Sequence, residues 1–493
     1  MRTRLRARFV VGYDAGDHVV YPDGEVVYED DRIVFAGHDY PGPVDAEEDA
    51  GDALVGPGFV DLDALADIDH GIFDTFQPPA LASGLSWSED YFRTRRREVF
   101  SAAETRDLRH YSLVQLLLNG ITTAMPIAAE TYREWAETEA EFAAVAEVAG
   151  ELGLRMYLGP SYRSGISVLR ADGSPTVLWD EARGEEGLRQ AEALFRRVDG
   201  TYGGRIRGCL LPCRIETVTL DLLRATRRLA DELDCPVRLH AAQGLQELRF
   251  LQEWYGQRPV PLLAGLGFLG PRTAIPHVLY VRGQREVGET GPDDLALLAE
   301  SGTTVIHCPL TSVRHGHALE TFDRYRRAGV NLAMGTDTFP PDMIRVLDYG
   351  SNLARVMAND RSAGAAADLY RAATLGGARA LGRDDLGRLA PGARADLIVV
   401  DLSRLRSGPL DDPIRTLLYN ASGNDVRTVV VDGRTVVRDG AVPGLDAGAL
   451  RARGQALFER LKRSYPERDY LGRDEETLFP PAFRTVHREG PAR

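Results

Sequence analysis

From about residue 56 to about residue 385 the chain repeats one pattern. A short run of apolar and β-branched residues is followed by a longer stretch with apolar residues at helical spacing. This pattern constrains the fold strongly, because consecutive parallel strands need a crossover of about a dozen residues or more, usually a helix. Candidate strands lie at 58–63, 122–127, 155–160, 206–212, 237–241, 275–281, 304–308 and 331–335. Between them run segments such as "EEGLRQAEALFRRVDG" and "TLDLLRATRRLADELD", with apolar residues on one helical face and charges on the other. Eight such units predict an α/β chain whose residues 56–385 form a (β/α)8 barrel.

Both ends of the chain read differently. Residues 1–55 alternate short apolar runs with turns at Pro22-Asp23-Gly24 and Asp30-Asp31. The same β pattern returns after residue 386, in "GRLAPGARADLIVVDL" and "DVRTVVVDGRTVVRDG", with a hairpin turn at Asp432-Gly433. The expectation is one β-sandwich built from 1–55 and 386–445, flanking the barrel, with a helix and tail over 446–493.

Composition narrows the function classes. With 59 basic against 73 acidic residues, the net charge of −14 argues against nucleic acid or an anionic membrane surface as partner. No apolar run reaches the length of about 18 residues that a membrane span needs, and the N-terminus does not read as a signal peptide. The four cysteines do not form a disulfide framework in so long a chain and read as core thiols. The expectation is a cytoplasmic enzyme acting on a small molecule, with homo-oligomerisation open. Lys462, in the C-terminal segment, is the only lysine. Schiff-base catalysis and a carbamylated lysine bridging two metals both need a lysine in the site, so neither is expected.

Several motifs together carry a resemblance. They are Pro57-Gly58-Phe59-Val60-Asp61, "LLLNGITTAMP", "VRLHAAQG", "DDLALLAESGTTVIHCPLTS", "AGVNLAMGTD", "ATLGGARALGRDDLGRLAPGARADLIVVD" and the closing "VVVDGRTVVRDG". Over nearly its whole length the chain resembles the amidohydrolase superfamily, in particular its cytosine deaminase and triazine chlorohydrolase-like branch. The resemblance implies a metal-bearing barrel flanked by a β-sandwich made from both chain ends. It also implies hydrolysis of a C–N or similar bond of a small heterocycle or amide.

The same resemblance assigns site residues, and the metal site it outlines is incomplete. The signature that begins at Pro57 normally continues as His-x-His on strand one; here those positions are Asp63 and Leu65. Asp63 can ligate through oxygen, and Leu65 cannot ligate. His240 falls at a metal-ligating histidine of strand five. Gln243 stands where deaminase-type members carry a proton-shuttling glutamate. The strand-six histidine is read as replaced by Tyr280 or Val281, with Tyr280 or Arg282 taking its electrophilic role. Asp337, in Gly335-Thr336-Asp337, keeps the aspartate that ligates metal and accepts a proton from water. Asp63, His240 and Asp337 make a minimal set of three for Zn, Mn or Fe, and a centre without metal is expected over one divalent ion by about two to one.

Other residues complete the reading. His307 ends strand seven, where the resemblance implies a pocket lining. Asp67, Asp69 and His70 follow strand one as a helix cap and solvated loop. His315 and His317 read as rim residues. Arg163, Arg214 and Arg282 at strand ends point to an anionic or amide-rich ligand. The expected activity is amidohydrolase-like hydrolysis, with Asp337 and His240 catalytic and Gln243, Tyr280, Arg282 and His307 binding substrate. A metal-independent lyase, isomerase or cyclase on the same scaffold, or a non-catalytic binding relative, are the alternatives.

Overall fold

The computed structural model describes residues 1–69, 87–130, 132–318 and 322–486, so His70 lies outside the described residues. Eight parallel strands form the barrel. In chain order, strands one to eight are Phe59–Ala64, Ile121–Pro126, Arg155–Leu158, Ile206–Gly208, Val237–Arg238, Thr273–Pro276, Thr304–His307 and Asn331–Met334. Hydrogen-bonded neighbours run four-three-two-one-eight-seven-six-five. The ring closes between four and five through the parallel bridge Leu210–Val237, where Arg238 N–H donates to Leu210 O at 3.1 Å. The interior is filled by side chains including Val60, Leu62, Met125, Tyr157, Ile306 and Ala333.

The helices follow from local signals. In Leu220–Leu233, the Thr219 side chain caps the first turn by accepting from Leu222 N–H, and Leu222, Leu223, Thr226 and Ala230 face the barrel. Asp234 ends the helix in the left-handed region. Among the described residues, no helix is long and apolar enough to cross a membrane.

The chain ends meet in one eight-stranded sheet, as expected for residues far apart in sequence. Ala53–Pro57 pairs antiparallel with Leu397–Asp401, in register Leu397 to Pro57. This strand then runs through Gly58 straight into barrel strand one. Gly58 is required there, because a Cβ would lie 2.2 Å from Thr122 Cγ2. Arg155 of strand three, fully buried, locks barrel to sheet. Its Nε and Nη2 donate to Asp396 at 3.0 and 3.1 Å, and Nη2 also reaches Asp432. The C-terminal helix Ala447–Ser464 packs against helix Ala102–Leu118. Lys462 sits on this C-terminal helix and pairs with Glu475 at 3.5 Å, away from the barrel mouth.

One strand departs from expectation in a way that matters below. Strand six was expected at 275–281 and occupies Thr273–Pro276. Pro276 offers no N–H to continue the ladder. His277 and Val278 then take φ values of 66° and 48°, which bend the chain out of the strand.

Candidate active site and metal centre

The C-terminal ends of strands one, five, six, seven and eight converge. On strand one, alternation puts Val60 and Leu62 inside the barrel. The register against strand two then shifts between Asp61 and Ala64, a bulge-like break that turns Asp63 inward. Gly335 on strand eight makes room: a Cβ there would lie 2.6 Å from Asp63 Cβ and 2.8 Å from Cys308 Sγ. Asp337 follows with a φ of 41°, held by its N–H donating to Asp63 O at 2.9 Å. Thr311 Oγ donates to the Asp337 carbonyl from the other side. Asp61 ties the same two strands together, accepting from Thr336 N–H at 3.1 Å and Thr336 Oγ at 2.6 Å.

Asp63, His277, Cys308 and Asp337 bring donor atoms within 4.8 Å of one another, and all four are buried. His240 joins them: its Nε2 is 3.5 Å from Asp63 Oδ2. His277 Nε2 is 3.9 Å from Asp63 Oδ2 and 3.5 Å from Asp337 Oδ2. These spacings are long for hydrogen bonds. They are close to the edge of a tetrahedron around an ion with bonds of 2.0–2.1 Å, which is about 3.3 Å. His277 Nε2 is buried and has no hydrogen-bond partner. Burial, and then His240, hold the His277 ring well below the usual histidine range, so it presents a neutral lone pair. The residues present therefore fit one divalent ion, with oxygen donors from Asp63 and Asp337, a nitrogen donor from His277 and the Cys308 sulfur in the same set, while His240 borders that set through Asp63. This adds His277 to the donors read from sequence, and the expectation that favoured a centre without metal finds no support in the donor set.

The electrostatics agree with that use. Burial pushes the Asp63 carboxyl up, but His240 and Arg238 outweigh it and hold the group below the usual carboxylate range. Arg238 Nη1 lies 3.0 Å from Asp63 Oδ1. Asp61, wholly buried, is lifted to about 7 by desolvation despite its bonds from Thr336. Burial and the neighbouring Asp63 and Asp337 push the Cys308 thiol well up, so it stands beside the oxygen and nitrogen donors as a neutral thiol.

The residues read from sequence divide into those at the centre and those around it. Asp63, His240 and Asp337 are brought together. The strand-six position that sequence gave to Tyr280 or Val281 belongs to His277, because the strand ends at Pro276. Tyr280 sits further along, its hydroxyl 3.4 Å from His317 Nδ1, while Leu279 and Tyr280 N–H groups donate to Ala242 O. Arg282 turns outward to Asp293 at 3.3 Å and Gly291 O at 3.2 Å. His307 points away from the barrel axis: its ring packs on Phe322, and its Nε2 would be 3.8 Å from a Cβ at Gly350 of helix Met343–Ala358. Gln243 follows His240 by three residues, and its Oε1 is buried without a hydrogen-bond partner.

Two acids near the mouth, Glu247 buried and Glu130 partly exposed, were not singled out by sequence. Glu247, three residues into helix Leu245–Tyr255 from Gly244, accepts from the N–H groups of Ala242, Gln243 and Gly244 and so fixes the turn after His240. Desolvation, and then Glu216, raise its carboxyl to about 8. Glu130, after strand two, accepts from Cys213 Sγ at 2.6 Å and pairs with Arg163 at 3.3 Å. Arg214 pairs with Glu216 at 2.9 Å. The strand-end arginines thus already have carboxylate partners. The capping position of Glu247 was readable from its spacing after Gly244; nothing in the sequence marks Glu130.

Residues 108–436 match the amidohydrolase family model. A 5-methylthioadenosine/S-adenosylhomocysteine deaminase of Halobacterium salinarum is 30% identical, over 89% of this chain and 95% of that protein. The 8-oxoguanine deaminase of Pseudomonas aeruginosa is 29% identical, over 91% and 96%. Among solved structures, a zinc-bound adenosine deaminase from Xanthomonas campestris superposes with a TM-score of 0.73 at 24% identity, over 93% of this chain and 98% of that one. The zinc complex of atrazine chlorohydrolase from Arthrobacter aurescens gives 0.76 at 20% identity, over 92% and 99%. At these identities the two structures speak for the fold.

Proposed function

The chain belongs to the amidohydrolase family, and we propose that it is a hydrolase that displaces an exocyclic amine from a purine-like heterocycle, using one divalent metal. The observation that carries the reading is the convergence of Asp63, His277 and Asp337, with His277 Nε2 3.9 Å from Asp63 and 3.5 Å from Asp337, and with His240 3.5 Å from Asp63. The purine is suggested by the relatives, whose names are those of 5-methylthioadenosine/S-adenosylhomocysteine, 5'-deoxyadenosine and 8-oxoguanine deaminases.

When bound, such an ion supplies Lewis acidity to the site. The chain supplies the rest. Asp337, 4% exposed, takes a proton from the attacking water and returns it to the departing amine, so that the carboxylate ends as it began. Water adds its oxygen to the ring carbon, the C–N bond breaks, and ammonia leaves. His240 faces the Asp63 carboxylate from strand five, and the neutral His277 faces Asp63 and Asp337 from the end of strand six. Gln243 cannot carry a proton near neutral pH. Its buried, unpartnered acceptor instead suits an N–H of the substrate, as an aminopurine offers.

A second reading has one observation in its favour. Arg238 gives Asp63 a counter-charge without any metal, which is compatible with metal-independent acid–base chemistry by a lyase, isomerase or cyclase. One experiment separates the two: elemental analysis of protein purified without chelator or metal-affinity tag, with ammonia release measured on adenosine-type nucleosides and on 8-oxoguanine. About one divalent ion per chain with ammonia release from an aminopurine is the expected result. Metal-free protein, together with no ammonia from any aminopurine, would sink the proposal.

A further inference from the structure

Arg238 sits on strand five opposite Ala274 of strand six, whose side chain lies in the barrel interior. Paired residues share a face, so the guanidinium lies inside the barrel, beneath the mouth. It is 2% exposed. Nη1 is 3.0 Å from Asp63 Oδ1 and donates to the carbonyls of Leu62 and Met125 at 3.3 Å each. The two Asp63 oxygens therefore face different groups. Oδ1 faces the guanidinium as an ion pair without a hydrogen bond, and Oδ2 faces His240 at 3.5 Å and His277 at 3.9 Å.

The charge count gives this division a reason. A histidine at position 63, as in the His-x-His signature, would add a neutral imidazole to the centre. An aspartate adds a negative charge in a place where an uncompensated charge is costly. The guanidinium cancels that charge, and its contacts with two main-chain carbonyls hold it in one place. We infer that Asp63 and Arg238 act as one charge-neutral unit in place of a strand-one histidine, with Arg238 a positioning residue that holds one Asp63 oxygen by charge alone and presents the other as a single-oxygen ligand. The inference rests on the proposed function for the presence of an ion, and on the geometry alone for the pairing.

The test is a double-mutant cycle on the full chain: Asp63→His, Arg238→Met, and the two together. Each single change leaves one buried charge alone and is expected to lower the Tm of metal-free protein by roughly 5 °C. The double change is expected to regain most of that loss. Losses that simply add would overturn the pairing. If Arg238→Met does not fold, the double variant and Arg238→Lys, which keeps a charge without the planar fork, still report.

The second readout is the visible spectrum of the cobalt-substituted protein, which follows ligand geometry and is indifferent to stability. Arg238→Met is expected to change it, by letting Asp63 swing both oxygens toward the ion. The same variant is expected to give up zinc to a chelator about 10–100-fold more readily, the scale for a lost outer partner of a metal ligand. Arg238→Lys should fall between. A cobalt spectrum and zinc retention unchanged in Arg238→Met overturn the positioning role. A wild-type chain that retains neither zinc nor cobalt overturns the metal reading and the ligand half of this inference, while a non-additive cycle in that same protein upholds the pairing.

Discussion

In the proposed reaction Asp337 is the proton acceptor, and its backbone is held in one geometry. Its φ of 41° is uncommon for a residue with a side chain, and bonds at both its N–H and its carbonyl fix it there. Asp337→Asn keeps the shape and removes the base. Turnover of an aminopurine should fall about 10²–10⁴-fold, the usual scale for a lost general base, with the fold intact by circular dichroism. Full activity in that variant would move the proton transfer elsewhere. A second test at this scale separates His277 from Tyr280. His277→Gln removes a donor with no other partner and should strip both metal and activity, whereas Tyr280→Phe loses only a 3.4 Å contact to His317. We expect elemental analysis to show near-complete metal loss for His277→Gln and wild-type content for Tyr280→Phe. The reverse outcome would restore Tyr280 to the centre.

At the scale of elements, the misreading of strand six shows where sequence logic stopped. Residues 275–281 form an apolar run interrupted only by Pro276 and His277, and a period-two reading carries straight through it. The structure ends the strand at the proline and places His277 at the mouth. The eight strands, the joining of the chain ends in one sheet, and the placing of His240 and Asp337 beside Asp63 were legible because period and motif spacing are local properties. Arg238 was not, because a charged residue in a strand reads as solvent-facing until the barrel closes around it. It stands two residues before His240, and that spacing was the available signal. Glu247 belongs to the same class: its spacing after Gly244 was readable, but its grip on the turn after His240 depends on how helix and strand meet. Three N–H groups depend on that carboxylate. Glu247→Ala should cost about 1–3 kcal/mol, the desolvation scale for buried donors left without a partner, measured by urea denaturation. It should also weaken metal retention, since His240 enters the turn that Glu247 holds. A neutral effect on both would make Glu247 a bystander.

Across the whole molecule, two features set stability apart from catalysis. The first is the Arg155 junction, where one buried guanidinium serves Asp396 and Asp432 of the terminal sheet from within barrel strand three. Arg155→Met strands the Asp396 carboxylate, while Asp432 keeps Arg394 at 3.4 Å and Arg205 at 3.6 Å, and should destabilise by about 3–5 kcal/mol, with the thermal transition of sheet and barrel lost together. The second is acid sensitivity arising from a buried neutral histidine. His307 is 3% exposed, and burial alone lowers its pKa to about 3 from an ordinary 6.5. The folded state therefore keeps this ring neutral over a pH range in which the unfolded chain protonates it. As pH falls below 6.5, the unfolded state binds a proton that the native state refuses, and stability declines by about 1.4 kcal/mol per pH unit until the native ring also titrates near 3. Above 6.5 both states are neutral and this group contributes no slope. His307→Gln removes the titration and keeps a polar side chain of similar reach. Urea denaturation at pH 6.5 and pH 4.5 should show the wild type losing roughly 2.3 kcal/mol more than the variant over those two units. Ring burial away from the barrel axis also predicts that His307→Gln leaves the metal content unchanged. Equal pH slopes for the two proteins would mean that His307 is solvated in solution, and metal loss in the variant would return it to the centre.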